Sequence, residues 1–382
     1  MSLFAELKES HASQSPEELV QLLIDRLEKE QEYNKLFDAL LVQVRLRMGL
    51  PLANPTTFQG VPPEQQSAFE DEYVKVARRV GELLLAQGRI PQGWVYLRTI
   101  GEQDKVKQAL EEYPLDDLDP ELGDELINVA LYENAHPVRG LEIMLKTRGT
   151  CNTITACNQA MMQMGSAERI LAARLLVNHL YTELQGSLLY AIERNEEQRP
   201  ELVSIRELLE GRDWLFADGN YHIDVSHLHS VVGFARFVEP GDDELDKVRE
   251  LTEYGSRLAE QFQYPSDAPF EQHYPAHRAF FEVLAGDNRE AGLAYFEKKI
   301  EEAVDERDAA MTAYVLVDLL CRIEEYERAI PIAEKHLTGI EDPNGFSFTR
   351  LCHLAKDYET LKRTAERNND PVAYALGLLG QE

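Results

Sequence analysis

Small residues recur in this chain at the intervals where helices cross, and that spacing restricts the fold more than any other feature. In VGELLLAQGRIPQGWVYLRTI, Gly81 is followed by Leu84, Gly88 sits at a turn, and Gly93 and Leu97 fall on a second helix. Ala279, Gly286, Ala291 and Tyr295 take equivalent offsets in AFFEVLAGDNREAGLAYFEKKI, as do Val317, Tyr326, Ala329 and Ala333 in VDLLCRIEEYERAIPIAEKHL. Ala135, Gly140 and Met144 repeat the pattern in ALYENAHPVRGLEIML. A small side chain lets two backbones approach, and a large apolar residue one turn later fills the groove between them. The pattern therefore calls for paired helices joined by short turns.

Helix signals outside these stretches agree. Ser15 reads as an N-cap, with Pro16 at the first helical position and Glu18 closing a capping box. Leu19, Leu22, Leu23 and Leu27 follow on one face. Asp119-Pro120-Glu121 opens a helix in the same manner, and Asp287 with Glu290 predicts another start. PLANPTTFQGVPPEQQ, rich in Pro, Gly, Thr and Gln, reads as a loop. Strand-like alternation is nearly absent, with YHIDV the one short candidate.

The small-residue offsets resemble the tetratricopeptide repeat family, from about residue 72 to 184 and from about 270 to the end. The repeat spacing varies over roughly 30 to 47 residues, and most of the family's large consensus residues are replaced. MLKTRGTCNTITACNQAMMQMGSAERILAARLLVNHL also looks like a pentatricopeptide repeat, whose relatives bind RNA one base per repeat. What the resemblance implies is an all-α fold, an α-solenoid of stacked helical hairpins with a concave face. The expected divisions are N-terminal helices (1–60), a helical repeat array (61–185), an irregular helical insert or junction (186–270) and C-terminal tetratricopeptide-like repeats (271–382). Across the third division the repeat grammar lapses, and GRDWLFADGN within it is a turn-rich break.

Charge narrows the partners. The formal net charge over 382 residues is -29, so phosphate backbones and anionic membrane surfaces are repelled. Nucleic-acid and membrane partners are not expected, and the pentatricopeptide activity is not carried over. No run of about 18 apolar residues is present, and the N-terminal residues lack the basic start and apolar run of a signal peptide. The four cysteines, Cys151, Cys157, Cys321 and Cys352, show no two-residue spacing of a zinc knuckle or redox motif. A reducing, cytoplasmic setting follows as the expectation.

Two places carry candidate chemistry. Standard nucleotide-binding and hydrolase signatures are missing, so an enzyme is not the default. Five of the ten histidines lie between residues 222 and 277. In HIDVSHLH, Asp224 or Ser226 predicts an N-cap, with His227 in the first turn and His222 before it. In EQHYPAHRAFFE, His273 and His277 are four apart, a spacing that zinc uses on helices. Pro275 belongs in a first turn and tends to push His273 ahead of the helix. His222, Asp224, His227, His273 and His277 are the metal-ligand candidates, with a divalent metal as the one cofactor to consider. Buried or capping histidines beside aromatics are the alternative for the same residues.

The second place is a polar groove. Between residues 137 and 179 the basic residues Arg139, Lys146, Arg148, Arg169 and Arg174 face only Glu142 and Glu168 in the count of charge. Asn158, Arg174, Asn178 and Tyr181 are the candidate binding residues, because asparagine can clamp a peptide backbone and arginine can fork onto a carboxylate. The expected function is a non-enzymatic scaffold that binds a protein or peptide on a concave helical face. An alternative is a metal-dependent enzyme or a metal-stabilised helical protein using the histidine cluster. A homodimer is the expected assembly where an apolar repeat end is left uncapped.

Overall fold

In the computed structural model residues 2–197, 201–338 and 346–380 are described. Every regular element among them is helical, and within each unit most helices pack on the next one in sequence. The chain divides into two compact units, residues 1–163 and 164–382.

The first unit holds α1 (Leu3–Ser13), α2 (Pro16–Lys29), α3 (Tyr33–Arg47), α4 (Gln66–Leu85), α5 (Ile90–Leu97), α6 (Gln103–Glu112), α7 (Pro120–Ile127) and α8 (Pro137–Ala160). The capping box of Ser15 and Glu18 forms at the start of α2, and the Asp119 side chain caps α7. The predicted close approach is realised where α4 meets α5. A Cβ on Gly81 would stand 2.6 Å from the Leu97 side chain, and one on Gly93 would stand 3.2 Å from the Gly81 carbonyl. Leu36, Leu41, Phe69, Val80 and Leu84 lie at or near zero exposure in this unit's core.

The loop after α3 is held from beneath by one cation. Arg45 is wholly buried; its guanidinium donates to the carbonyls of Pro51 (2.7 Å), Pro55 (3.1 Å), Thr57 and Gln59 (3.3 Å). A buried guanidinium is tolerated only when its donors are satisfied. Here the proline-rich loop, which has few amide donors of its own, supplies the acceptors.

The second unit holds α9 (Ser166–Glu196), α10 (Ile205–Leu209), α11 (Val225–Phe234), α12 (Glu244–Ser256), α13 (His273–Ala285), α14 (Arg289–Glu301), α15 (Glu306–Arg322), α16 (Tyr326–His336), α17 (Phe348–Ala355), α18 (Tyr358–Arg367) and α19 (Pro371–Leu379). From α11 onward each helix packs on the next. At the α13–α14 contact, a Cβ on Gly292 would stand 2.5 Å from Val283 and 2.7 Å from the Ala279 carbonyl. Short 3-10 turns interrupt the stretch from α10 to α13.

Two local expectations change. YHIDV forms no strand; Asp224 turns the chain into α11 by accepting from the Ser226 and His227 amides at 2.8 and 3.2 Å. The cap position of α14 belongs to Asn288, at φ 48, rather than to Asp287. Asparagine tolerates that left-handed backbone better than most residues. Asp287 points elsewhere, to Arg249 at 2.6 Å. No helix among the described residues is long and apolar enough to cross a membrane.

Candidate functional site

A cavity of about 680 Å³ in the second unit opens among the first turn of α9, the turn after α11, and α13, α15 and α17. Four arginines line it, Arg169, Arg236, Arg322 and Arg350, against two carboxyls, Glu239 and Asp318. Phe237, Tyr314, Tyr326 and Phe346 supply aromatic walls.

These cations are not equivalent. Arg322 is committed to the fold. Its Nε pairs with Asp318 at 3.0 Å, its Nη1 donates to the Val238 carbonyl at 3.2 Å, and its guanidinium lies over Phe280 at 5.8 Å. Its side chain is 14% exposed, whereas that of Asp318 is 40% exposed and remains open to the cavity. Arg169 lies over Phe237 at 5.7 Å. Arg236 donates from Nε to the Gly233 carbonyl at 3.1 Å and stacks over Phe270 at 4.7 Å. Its two terminal nitrogens make no hydrogen bond or ion pair among the described residues. The Arg350 guanidinium likewise has no such partner among them.

Arg236 is exposed, yet burial by the surrounding protein lowers its pKa, followed by the opposing effects of Asp318 and Arg322. Burial also raises the Asp318 carboxyl, against the pull of Arg322, and raises Glu239. Cys321, on the cavity wall, is pushed up to about 11 by burial and then by Asp318, so it stays a thiol near neutrality.

A histidine stack adjoins this site. The His229 and His273 rings are stacked with centroids 3.7 Å apart, His277 follows His273 at 4.3 Å, and Phe270 stacks on His277 at 4.3 Å. Arg236 then lies over Phe270, so one column of rings links the stack to the cavity wall. The Ser266 hydroxyl sits between His273 Nδ1 (2.8 Å) and His229 Nε2 (3.3 Å). His277 Nδ1 lies 2.7 Å from the His273 carbonyl, which can only accept, so Nδ1 carries the proton. His229 Nδ1, His273 Nε2 and His277 Nε2 are buried without hydrogen-bond partners. Burial, before any neighbouring charge, pushes His273 down to about 3 and His277 well below the usual histidine value.

The five metal-ligand candidates are dispersed over different roles. His273, the first residue of α13, and His277 join the stack with His229, which was not among the five. His222 meets Tyr254 instead: the Tyr254 hydroxyl accepts the His222 amide at 2.7 Å and lies 3.3 Å from Nδ1. Asp224 caps α11, and His227, half-buried, donates its amide to that cap. No group of three or more histidine, cysteine, aspartate or glutamate side chains is disposed to hold a metal among the described residues.

The candidate groove residues separate as well. Asn158 is exposed on α8 of the first unit. In the second unit, Arg174, Asn178 and Tyr181 share one face of α9 and engage α12. Glu244 accepts from Arg174 at 3.0 Å and from Asn178 at 2.7 Å, while Lys247 donates to the side-chain Oδ1 of Asn178 at 2.5 Å. Tyr181 donates to Glu250 at 2.7 Å, and burial first, then that carboxylate, pushes its hydroxyl up to about 12. Burial works to raise Glu244, but the Asn178 hydrogen bond and the charges of Arg174 and Lys247 leave it lowered overall. The donors foreseen for a ligand thus meet carboxylates of the same chain.

Arg236, Asp318, Arg322 and Arg350 escaped the sequence reading. A weak signal was there: Asp318 and Arg322 are one helical turn apart, and FARFVE interleaves Arg236 with aromatics. No protein-family model matches this chain, and no curated protein matches it.

Proposed function

We propose that this chain is a non-enzymatic scaffold of stacked, tetratricopeptide-like helical hairpins that binds a protein or peptide partner, with the arginine-lined cavity of the second unit as its binding centre. One observation carries the reading. In a protein of net charge -29, a cavity of about 680 Å³ gathers four arginines and five aromatic side chains, and two guanidinium forks in it are unspent on the fold. Arginine and aromatic side chains are the groups that dominate binding energy at protein interfaces.

Packing between consecutive helices from α11 to α19 supports a stacked array. The wall chemistry favours holding over turnover, since Cys321 is a thiol and Asp318 is tied to Arg322. All four cysteines are free, which favours a reducing, cytoplasmic setting. The overall acidity keeps nucleic acid from being the favoured partner.

Selection of a random peptide library on the immobilised full chain tests the proposal. Enriched peptides should compete with one another and should lose binding to Tyr314→Ala. Enrichment no greater than on the bare matrix, or enriched peptides indifferent to Tyr314→Ala, counts against it.

A further inference from the structure

We infer that the cavity of the second unit takes an acidic segment of its partner, with a carboxylate side chain held between Arg236 and Arg350 and an apolar neighbour lying on Phe237 and Tyr314. The inference rests on the scaffold reading above and adds the chemistry of the ligand.

The argument is one of charge left over. Of the four cavity guanidiniums, Arg322 is neutralised by Asp318 and held by the Val238 carbonyl, and Arg169 lies over Phe237. Arg236 keeps both terminal nitrogens without partners, and so does Arg350 keep its whole fork, among the described residues. A planar fork presents paired donors that match the two oxygens of a carboxylate. Arg236 is also fixed in place by its Nε bond to Gly233 and its seat over Phe270, so little entropy is lost when it binds.

The acid groups in the cavity set the size of the charge. Glu239 and Asp318 against four arginines leave a modest positive excess. That excess suits a singly charged carboxylate better than a phosphate dianion, which would face the open Asp318 side chain. Asp318 can instead accept an amide from the bound segment. Half-buried Phe237 and Tyr314 offer apolar surface beside the forks.

Titration calorimetry on the full chain tests this with four peptides of equal length, in which phenylalanine alternates with glutamate, glutamine, lysine or phosphoserine. The glutamate peptide should bind at least about tenfold tighter than the glutamine peptide, the scale of a charge-assisted contact. The lysine peptide should give no heat. Arg350→Glu, on the exposed side of α17, should abolish the preference for glutamate over glutamine, and Arg236→Gln should weaken it. Circular dichroism of both variants verifies the fold, and Arg350→Glu keeps the test decisive if Arg236→Gln fails to fold. Equal affinity for glutamate and glutamine peptides overturns the inference and leaves the scaffold reading in place. Tighter binding of the phosphoserine peptide overturns the carboxylate assignment. Silence from all four overturns the inference, while the scaffold reading stands or falls with the library selection.

Discussion

The guanidinium of Arg236 lies 4.7 Å over the ring of Phe270, a residue 34 positions later in sequence, at the point where a column of stacked rings meets a charged cavity. Phe270 is almost fully buried and contacts His277, Phe280 and Phe296 as well. The cation is thereby aimed by packing rather than by an ion pair.

Replacing Phe270 by leucine keeps most of the apolar volume but removes the aromatic face. The expected loss of stability is about 1–2 kcal/mol, the sum of a near-isosteric core change and the lost ring contacts. Urea denaturation gives the number directly. A loss below about 0.3 kcal/mol would show that the ring column contributes little.

Acid should weaken the second unit through the histidines. His229, His273 and His277 have depressed pKa values in the fold, so the unfolded chain binds their protons first as pH falls. Stability is therefore level above the ordinary histidine value near 6.5 and declines below it, down to the folded value of about 3 for His273. The slope is about 1.4 kcal/mol per pH unit for each histidine kept neutral. Arg236 adds to the depression of His273 and His277, whereas Asp318 and Glu239, raised by burial, act with the opposite sign at lower pH. Urea midpoints between neutrality and mild acid should decline, and His273→Phe should flatten the decline. A profile equally steep in that variant would remove the stack as its source.

Two glycines should respond to alanine in opposite directions. At Gly292 the new methyl meets Val283 at 2.5 Å and a backbone oxygen at 2.7 Å, so the α13–α14 contact must part, at about 1–3 kcal/mol. Gly186, exposed within α9, has nothing within 4 Å of the new methyl. There alanine should stabilise by about 0.5–1 kcal/mol through helix propensity. Melting temperatures of the two variants should bracket that of the parent chain.

Arg174, Asn178 and Tyr181 can be sorted between ligand binding and helix clamping. Glu244 is 7% exposed and accepts from both Arg174 and Asn178. Asn178→Ala leaves that carboxylate short of a donor, and a loss of about 1–2 kcal/mol is expected. As a clamp residue it should leave peptide affinity unchanged. A selective loss of affinity at full stability would restore it to a binding role.

The local grammar of the fold was legible because it depends on neighbours in sequence. Ser15, Asp119 and Asp224 cap helices through bonds to amides two or three residues away, and such bonds leave a residue-type signature. Gly81 and Gly93 were readable for a related reason, since a crossing point needs a missing side chain wherever the partner helix lies. The slip from Asp287 to Asn288 marks the limit of that grammar, because either residue type can cap and only the backbone angle chooses. The cavity was harder to read. Arg236, Asp318 and Arg350 come from three elements far apart in the chain, and nothing within a helical turn of each announces the others. The histidines were noticed as a cluster, but sequence proximity could not tell stacked rings from convergent nitrogens. Arg174 and Asn178 looked available because their carboxylate partners lie some seventy positions downstream.

The four thiols are already sorted for chemistry by their surroundings. Cys151 is exposed, whereas burial pushes Cys157 and Cys352 up to about 12 and Cys321 up to about 11. An alkylating dye used briefly at neutral pH should therefore settle on one atom, the Cys151 sulfur of α8. The native chain thus comes with a single built-in attachment point on its first unit, ready for fluorescence or for tethering to a surface, with no cysteine to engineer away.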